Sequence, residues 1–109
     1  MRSGERDLVP QNWQETVKLA MGRQNLSNRK LVIEARKLGL KISGATLSQA
    51  MHGNIPPHDR VVAAYSLVLG IHPDLLGFER KPLTELAYRA FEAMFPDALM
   101  SGRRTAKAA

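Results

Sequence analysis

Apolar residues recur along this chain at the spacing of helices that bury one side, and glycine or proline interrupts each run. In NWQETVKLAMGRQ, residues 12–24, Trp13, Val17, Ala20 and Met21 share a face, while Asn12 and Glu15 form a capping-box pattern. LSNRKLVIEARKLGL, residues 26–40, sets Leu31, Val32, Ala35 and Leu38 on a stripe behind the capping residue Ser27, and Gly39 suits the positive φ with which such helices end. PPHDRVVAAYSLVLG, residues 56–70, opens on prolines, carries Val61, Ala64, Tyr65, Val68 and Leu69 on one side, and closes at Gly70. HPDLLGF predicts one short turn of helix after Pro73. KPLTELAYRAFEAMFP predicts a last helix that starts at Pro82, stops before Pro96, and bears Leu83, Leu86, Ala87, Ala90, Phe91, Met94 and Phe95 on a broad apolar face.

The segment LKISGATLSQAMHGN, residues 40–54, differs from the others. Ser43 caps a helix whose Leu47, Ala50, Met51 and Asn54 form a core-like face, and whose opposite face is small and neutral: Ala45, Ser48, Gln49 and His52. Between Lys41 and Pro57 the only ionisable side chain is His52, although the protein has a formal net charge of +6. The positive charge lies immediately upstream, where Arg23, Arg29, Lys30, Arg36, Lys37 and Lys41 face one acid, Glu34; the C-terminal SGRRTAKAA adds further cations. A cluster of this kind attracts polyanions, of which phosphate backbones are the commonest in cells.

Composition narrows the fold. With 109 residues, 44% apolar content and 6% aromatics, the chain suffices for one small core filled by aliphatic side chains, so an all-α protein is expected. The organisation expected is a flexible arm over residues 1–10, one helical domain over 11–80, a C-terminal helix over 81–96, and a basic disordered tail over 97–109. The absence of cysteine excludes disulfides and thiolate chemistry. MRSGERDLVP lacks an apolar signal core, and no apolar run approaches the roughly 20 residues of a membrane span, so a soluble cytoplasmic protein is expected.

A short helix with a core-like back and a polar front, preceded by a basic helix and a glycine-containing turn, is the sequence pattern of a helix-turn-helix. Small or flat side chains let a helix seat in the DNA major groove, where Ser, Thr, Gln and His bond base edges, while cations on the flanks meet phosphates. LVIEARKLGLKISGATLSQAMHGN followed by PPHDRVVAAYSLVLGIHPDLLGF resembles the Cro and phage-repressor (xenobiotic response element) helix-turn-helix family. Ala35, Gly39, Leu47, Gly53, Leu69, Gly70, Leu75 and Leu76 fill that family's pattern, and the resemblance spans residues 13–78. It implies a compact five-helix, lambda-repressor-like domain, here followed by the amphipathic C-terminal helix.

Two departures from the family pattern stand out. The chain from Gly39 to Leu47 is about two residues longer than usual, which lengthens either the second helix or the turn and is similar to mycobacterial EspR-type regulators. The expected recognition helix also carries no Arg or Lys. The resemblance implies base reading by Ser43, Ala45, Thr46, Ser48, Gln49 and His52, with Gln49 paired to adenine and Ala45 against a thymine methyl. It implies phosphate binding by Arg29, Lys30, Arg36, Lys37, Lys41, His58 and Arg60.

Other chemistry finds no support in the residues. His52 and His58 lack the spacing and partners of a zinc site, and no nucleophile–base pair, phosphate loop or carboxylate dyad stands out, so neither a metal, a cofactor nor an enzymatic activity is expected. Trp13 is expected in the core. The apolar face of the last helix can pack on its own domain or pair with a second copy; seven apolar positions on one short helix favour a homodimer. The function expected is that of a sequence-specific transcriptional regulator of bacterial or phage type, a repressor or Cro-like protein that occupies a palindromic operator. The alternatives are a protein-interaction module, such as an antitoxin or a phage protein that binds a host partner, and a non-specific nucleoid binder.

Overall fold

The computed structural model describes residues 13–96, and every regular element among them is helical. In chain order these are α1 (Trp13–Arg23), α2 (Asn28–Lys37), α3 (Gly44–Met51), α4 (Asp59–Leu69), a 3-10 turn (Pro73–Leu76) and α5 (Glu85–Met94). The N-terminal arm, the cap assigned to Asn12 and the basic tail lie outside the described residues.

Local signals set the ends of these helices. The Ser27 hydroxyl accepts the Lys30 N–H at 3.2 Å and starts α2. At the other end Gly39 takes φ +87°, which turns the chain so that the Gly39 N–H reaches the Arg36 carbonyl and the Leu40 N–H reaches that of Ala35, both at 2.9 Å. α2 therefore stops at Lys37, and residues 38–43 form the connection to α3. The same reversal changes the core: Leu38, expected on the buried stripe, is 44% exposed, whereas Ile42 in the connection is buried.

α4 is the hub. Val61 to Ser66 are buried without interruption, because α1, α2 and α3 cover one side of this helix and α5 covers the other. A helix covered all round is apolar all round, so the stripe read along it extends to Val62 and Ala63. Burial pushes the Tyr65 phenol up to about 12. Trp13 anchors α1 against Tyr65 and Phe78, with ring centroids 5.8 and 4.9 Å away. Gly77, at φ +95°, lies so close that a Cβ there would sit 2.9 Å from the Trp13 Cα.

α5 begins at Glu85, three residues after the expected start at Pro82, because Thr84 shapes the turn before it: its buried hydroxyl donates to the Glu79 carbonyl at 2.7 Å and accepts the Lys81 N–H at 3.0 Å. The seven-residue face assigned to dimerisation divides in the structure. Ala87 and Phe91 are buried within the chain's own fold, where α5 packs chiefly on α4, and the Phe95 ring stacks on Phe91 at 4.6 Å. These residues are spent within one chain because α4 needs a cover on its second side. Leu83, Leu86 and Met94 remain exposed along the adjoining stripe, with Ala90 half-buried between them. Tyr88, which the apolar pattern did not single out, is fully buried, and its hydroxyl donates to Asp74 at 2.6 Å. Among the described residues no helix is long and apolar enough to cross a membrane.

Candidate nucleic-acid interface

α3 stands on the surface between α2 and the start of α4. Leu47 and Ala50 are buried and hold it to the core. Its outward row is Ala45, Ser48, Gln49 and His52, at helical spacing on one face; Ala45, Gln49 and His52 are exposed and Ser48 is half-buried. The Ser48 hydroxyl lies 3.3 Å from His52 Nδ1, which steadies the ring at the C-terminal end of the row. No hydrogen bond occupies the Gln49 side-chain amide among the described residues, so its donor and acceptor are available to a partner.

Ser43 and Thr46, assigned with that row, belong to another part of the site. The Ser43 hydroxyl accepts the Thr46 N–H at 3.0 Å and caps α3, and the two hydroxyl oxygens lie 2.9 Å apart. Both line an open groove of about 700 Å³ at the N-terminus of α3, together with Arg36, Lys41, Ile42, His58 and Arg60. Four elements build this groove: the last turn of α2, the α2–α3 connection, the first turn of α3 and the start of α4. His58 precedes α4 at its cap position but makes no side-chain cap bond.

Charge pairing divides the molecule in two. Near α5 every basic side chain has a carboxylate: Arg80 bonds Glu85 and Glu92 at 2.9 Å each, Lys81 pairs with Glu79 at 3.0 Å, and Arg89 bonds Glu85 at 2.9 Å. The two guanidiniums hold the Glu85 carboxyl down at about 2, with the Arg80 bond the larger cause. Around α3, by contrast, Arg29, Lys30, Arg36, Lys41 and Arg60 have no ion pair among the described residues. Unpaired positive charge therefore gathers along α2, its connection to α3 and the start of α4, and the positive end of the α3 dipole adds to it at the groove.

Of the expected phosphate ligands, Arg36, Lys41, His58 and Arg60 come together in the groove. Arg29 lines a second basin of about 410 Å³ with Val32, Ile33, Arg36 and Gly44, so Arg36 is common to both. Lys30 and Lys37 line neither, and Lys37 is paired with Glu34 at 3.1 Å. Val32, Ile33, Ile42 and Gly44 are the lining residues that the sequence reading does not assign to the site. Ile33 had left a signal, being an apolar residue off the stripe of α2 with Arg29 four positions before it and Arg36 three after.

In comparisons with known proteins the chain matches no family model, no curated protein and no solved structure.

Proposed function

We propose that this protein is a sequence-specific, DNA-binding transcriptional regulator in which α2 and α3 act as a helix-turn-helix. One observation carries the proposal: a groove whose cations Arg36, Lys41 and Arg60 are unpaired among the described residues adjoins a helix whose exposed face is uncharged and carries, among those residues, an unbonded amide at Gln49. DNA presents the complement, a rail of phosphates beside a groove of base edges. In this mechanism the cations of the groove each meet a phosphate along the edge of the major groove, which fixes the depth and angle of α3. Gln49 then pairs with an adenine, Ala45 packs on a thymine methyl, and His52, steadied by Ser48, bonds near the end of the reading frame.

One α3 spans only a few base pairs, so a homodimer on an inverted repeat supplies the affinity. Leu83, Leu86, Ala90 and Met94 form the surface through which two copies meet. Occupancy of the operator excludes polymerase or a competing regulator, and a cytoplasmic location accords with this role. The exposed stripe on α5 also supports a second reading, in which it grips a different protein and DNA binding is secondary.

The test is the salt dependence of binding to a fluorescent DNA duplex. Engagement of the groove predicts a log–log slope of roughly −3 to −4 per protomer, and Arg60→Gln should flatten it by about 1. Salt-insensitive binding, or a slope that Arg60→Gln leaves unchanged, contradicts the proposal.

A further inference from the structure

The basin beside the groove carries an inference that rests on the DNA reading and extends it. Arg29, Val32, Ile33 and Arg36 share one face of α2, and Gly44 lines the basin from the first turn of α3. The two arginines are seven positions apart, about 10 Å along the helix axis. Between them Ile33 is 50% exposed, an apolar side chain flanked by two cations. Neither arginine has an ion pair among the described residues, and Arg36 also lines the phosphate groove.

We infer that this basin seats one deoxyribose of a DNA strand, with its two flanking phosphates on Arg29 and Arg36 and the unsubstituted 2′ carbon against Ile33. A phosphodiester strand alternates an anion with a sugar, and in DNA the 2′ position of that sugar carries only hydrogen. The surface alternates in the same order: guanidinium, aliphatic patch, guanidinium. RNA places a hydroxyl at the 2′ position, and pressing that hydroxyl onto Ile33 strips its water without offering a hydrogen bond. Ile33 is thus the residue that distinguishes DNA from RNA. Gly44 leaves the mouth of the basin open: a Cβ added there would meet nothing within 4 Å in the protein itself.

The experiment compares a DNA duplex with the same duplex carrying scattered ribonucleotides, bound by the wild type, Ile33→Ala and Ile33→Thr. Ile33 is half-exposed, so both variants should fold, and thermal unfolding checks this. The wild type should prefer the all-DNA duplex. Ile33→Ala should lose roughly three- to tenfold in affinity for it, with an unchanged salt slope and a several-fold narrower preference. Ile33→Thr, which offers a hydroxyl partner, should narrow the preference further. Arg29→Gln should instead flatten the salt slope by about 1. If the wild type binds neither duplex, the DNA reading fails and this inference with it. If it binds DNA but both Ile33 variants keep the wild-type preference, the sugar site alone is overturned.

Discussion

The carboxylate of Asp59 accepts the backbone N–H of Ala87 at 3.0 Å, so the first turn of α4 caps the start of α5. Thr84, at the cap position of α5, makes no cap bond of its own because its hydroxyl is committed to Glu79 and Lys81. Asp59 is flanked by His58 and Arg60, both on the wall of the cationic groove. One residue therefore fastens the C-terminal helix to the segment that borders the candidate DNA surface.

Asp59→Ala removes this cap. Loss of a cap of this type costs about 1 kcal/mol, and the cost should fall locally on α5. Hydrogen exchange of the amides in residues 85–94 should accelerate more than that of α1 or α2. Uniform acceleration across the chain would contradict a local role.

The Arg80–Glu85–Arg89 cluster, which ties α5 to the segment before it, predicts an acid limit to stability. The Glu85 carboxyl is held at about 2, against an ordinary value of 4.5. A depressed carboxylate contributes stability that is present above its unfolded value and is lost as pH falls through the folded one. The contribution should fade between about pH 4.5 and 2. Thermal unfolding across that range should show a decline that Glu85→Gln makes shallower. Equal declines in the two proteins would remove Glu85 from the account.

The division of the α5 face predicts opposite phenotypes for neighbouring residues. Phe91→Ala opens the buried contact and should cost about 3 to 5 kcal/mol. Leu86, 67% exposed, is free of that contact. Leu86→Lys should leave unfolding within about 0.5 kcal/mol of the wild type and yet shift sedimentation from dimer to monomer. If Leu86→Lys does not change the mass in solution, a second copy does not use this stripe.

Much of this architecture was legible in the chain, because helix ends and caps are local chemistry. Ser27, Ser43, Gly39 and Gly70 act where their types and positions placed them. Periodicity failed where the chain turns: after Gly39 the helical register lapses, so Leu38 emerges while Ile42 is buried. It also cannot distinguish an apolar face that packs within one chain from one that pairs two chains, which is why Ala87 and Phe91 were grouped with Leu86. The cations of the site were visible as charge. Their sorting was not, since it depends on the convergence of Arg36 with His58 and Arg60 from distant parts of the sequence.

Base reading and phosphate gripping should separate by mutation. Gln49→Ala should cost about 1 to 3 kcal/mol on a preferred duplex and little on others, whereas Lys41→Gln should weaken binding to all duplexes alike. Anisotropy titrations on a preferred and a scrambled duplex read both. A Gln49→Ala loss that is equal on the two duplexes would move base reading away from α3.

The most direct measurement is selection of bound sequences from a random duplex library at about 150 mM salt, where screening suppresses non-specific attraction. A sequence-specific dimer should enrich one motif, arranged as an inverted repeat and degraded at a single base pair per half-site by Gln49→Ala. Binding without enrichment, or no binding at all, would contradict the assignment of α3 as a recognition helix.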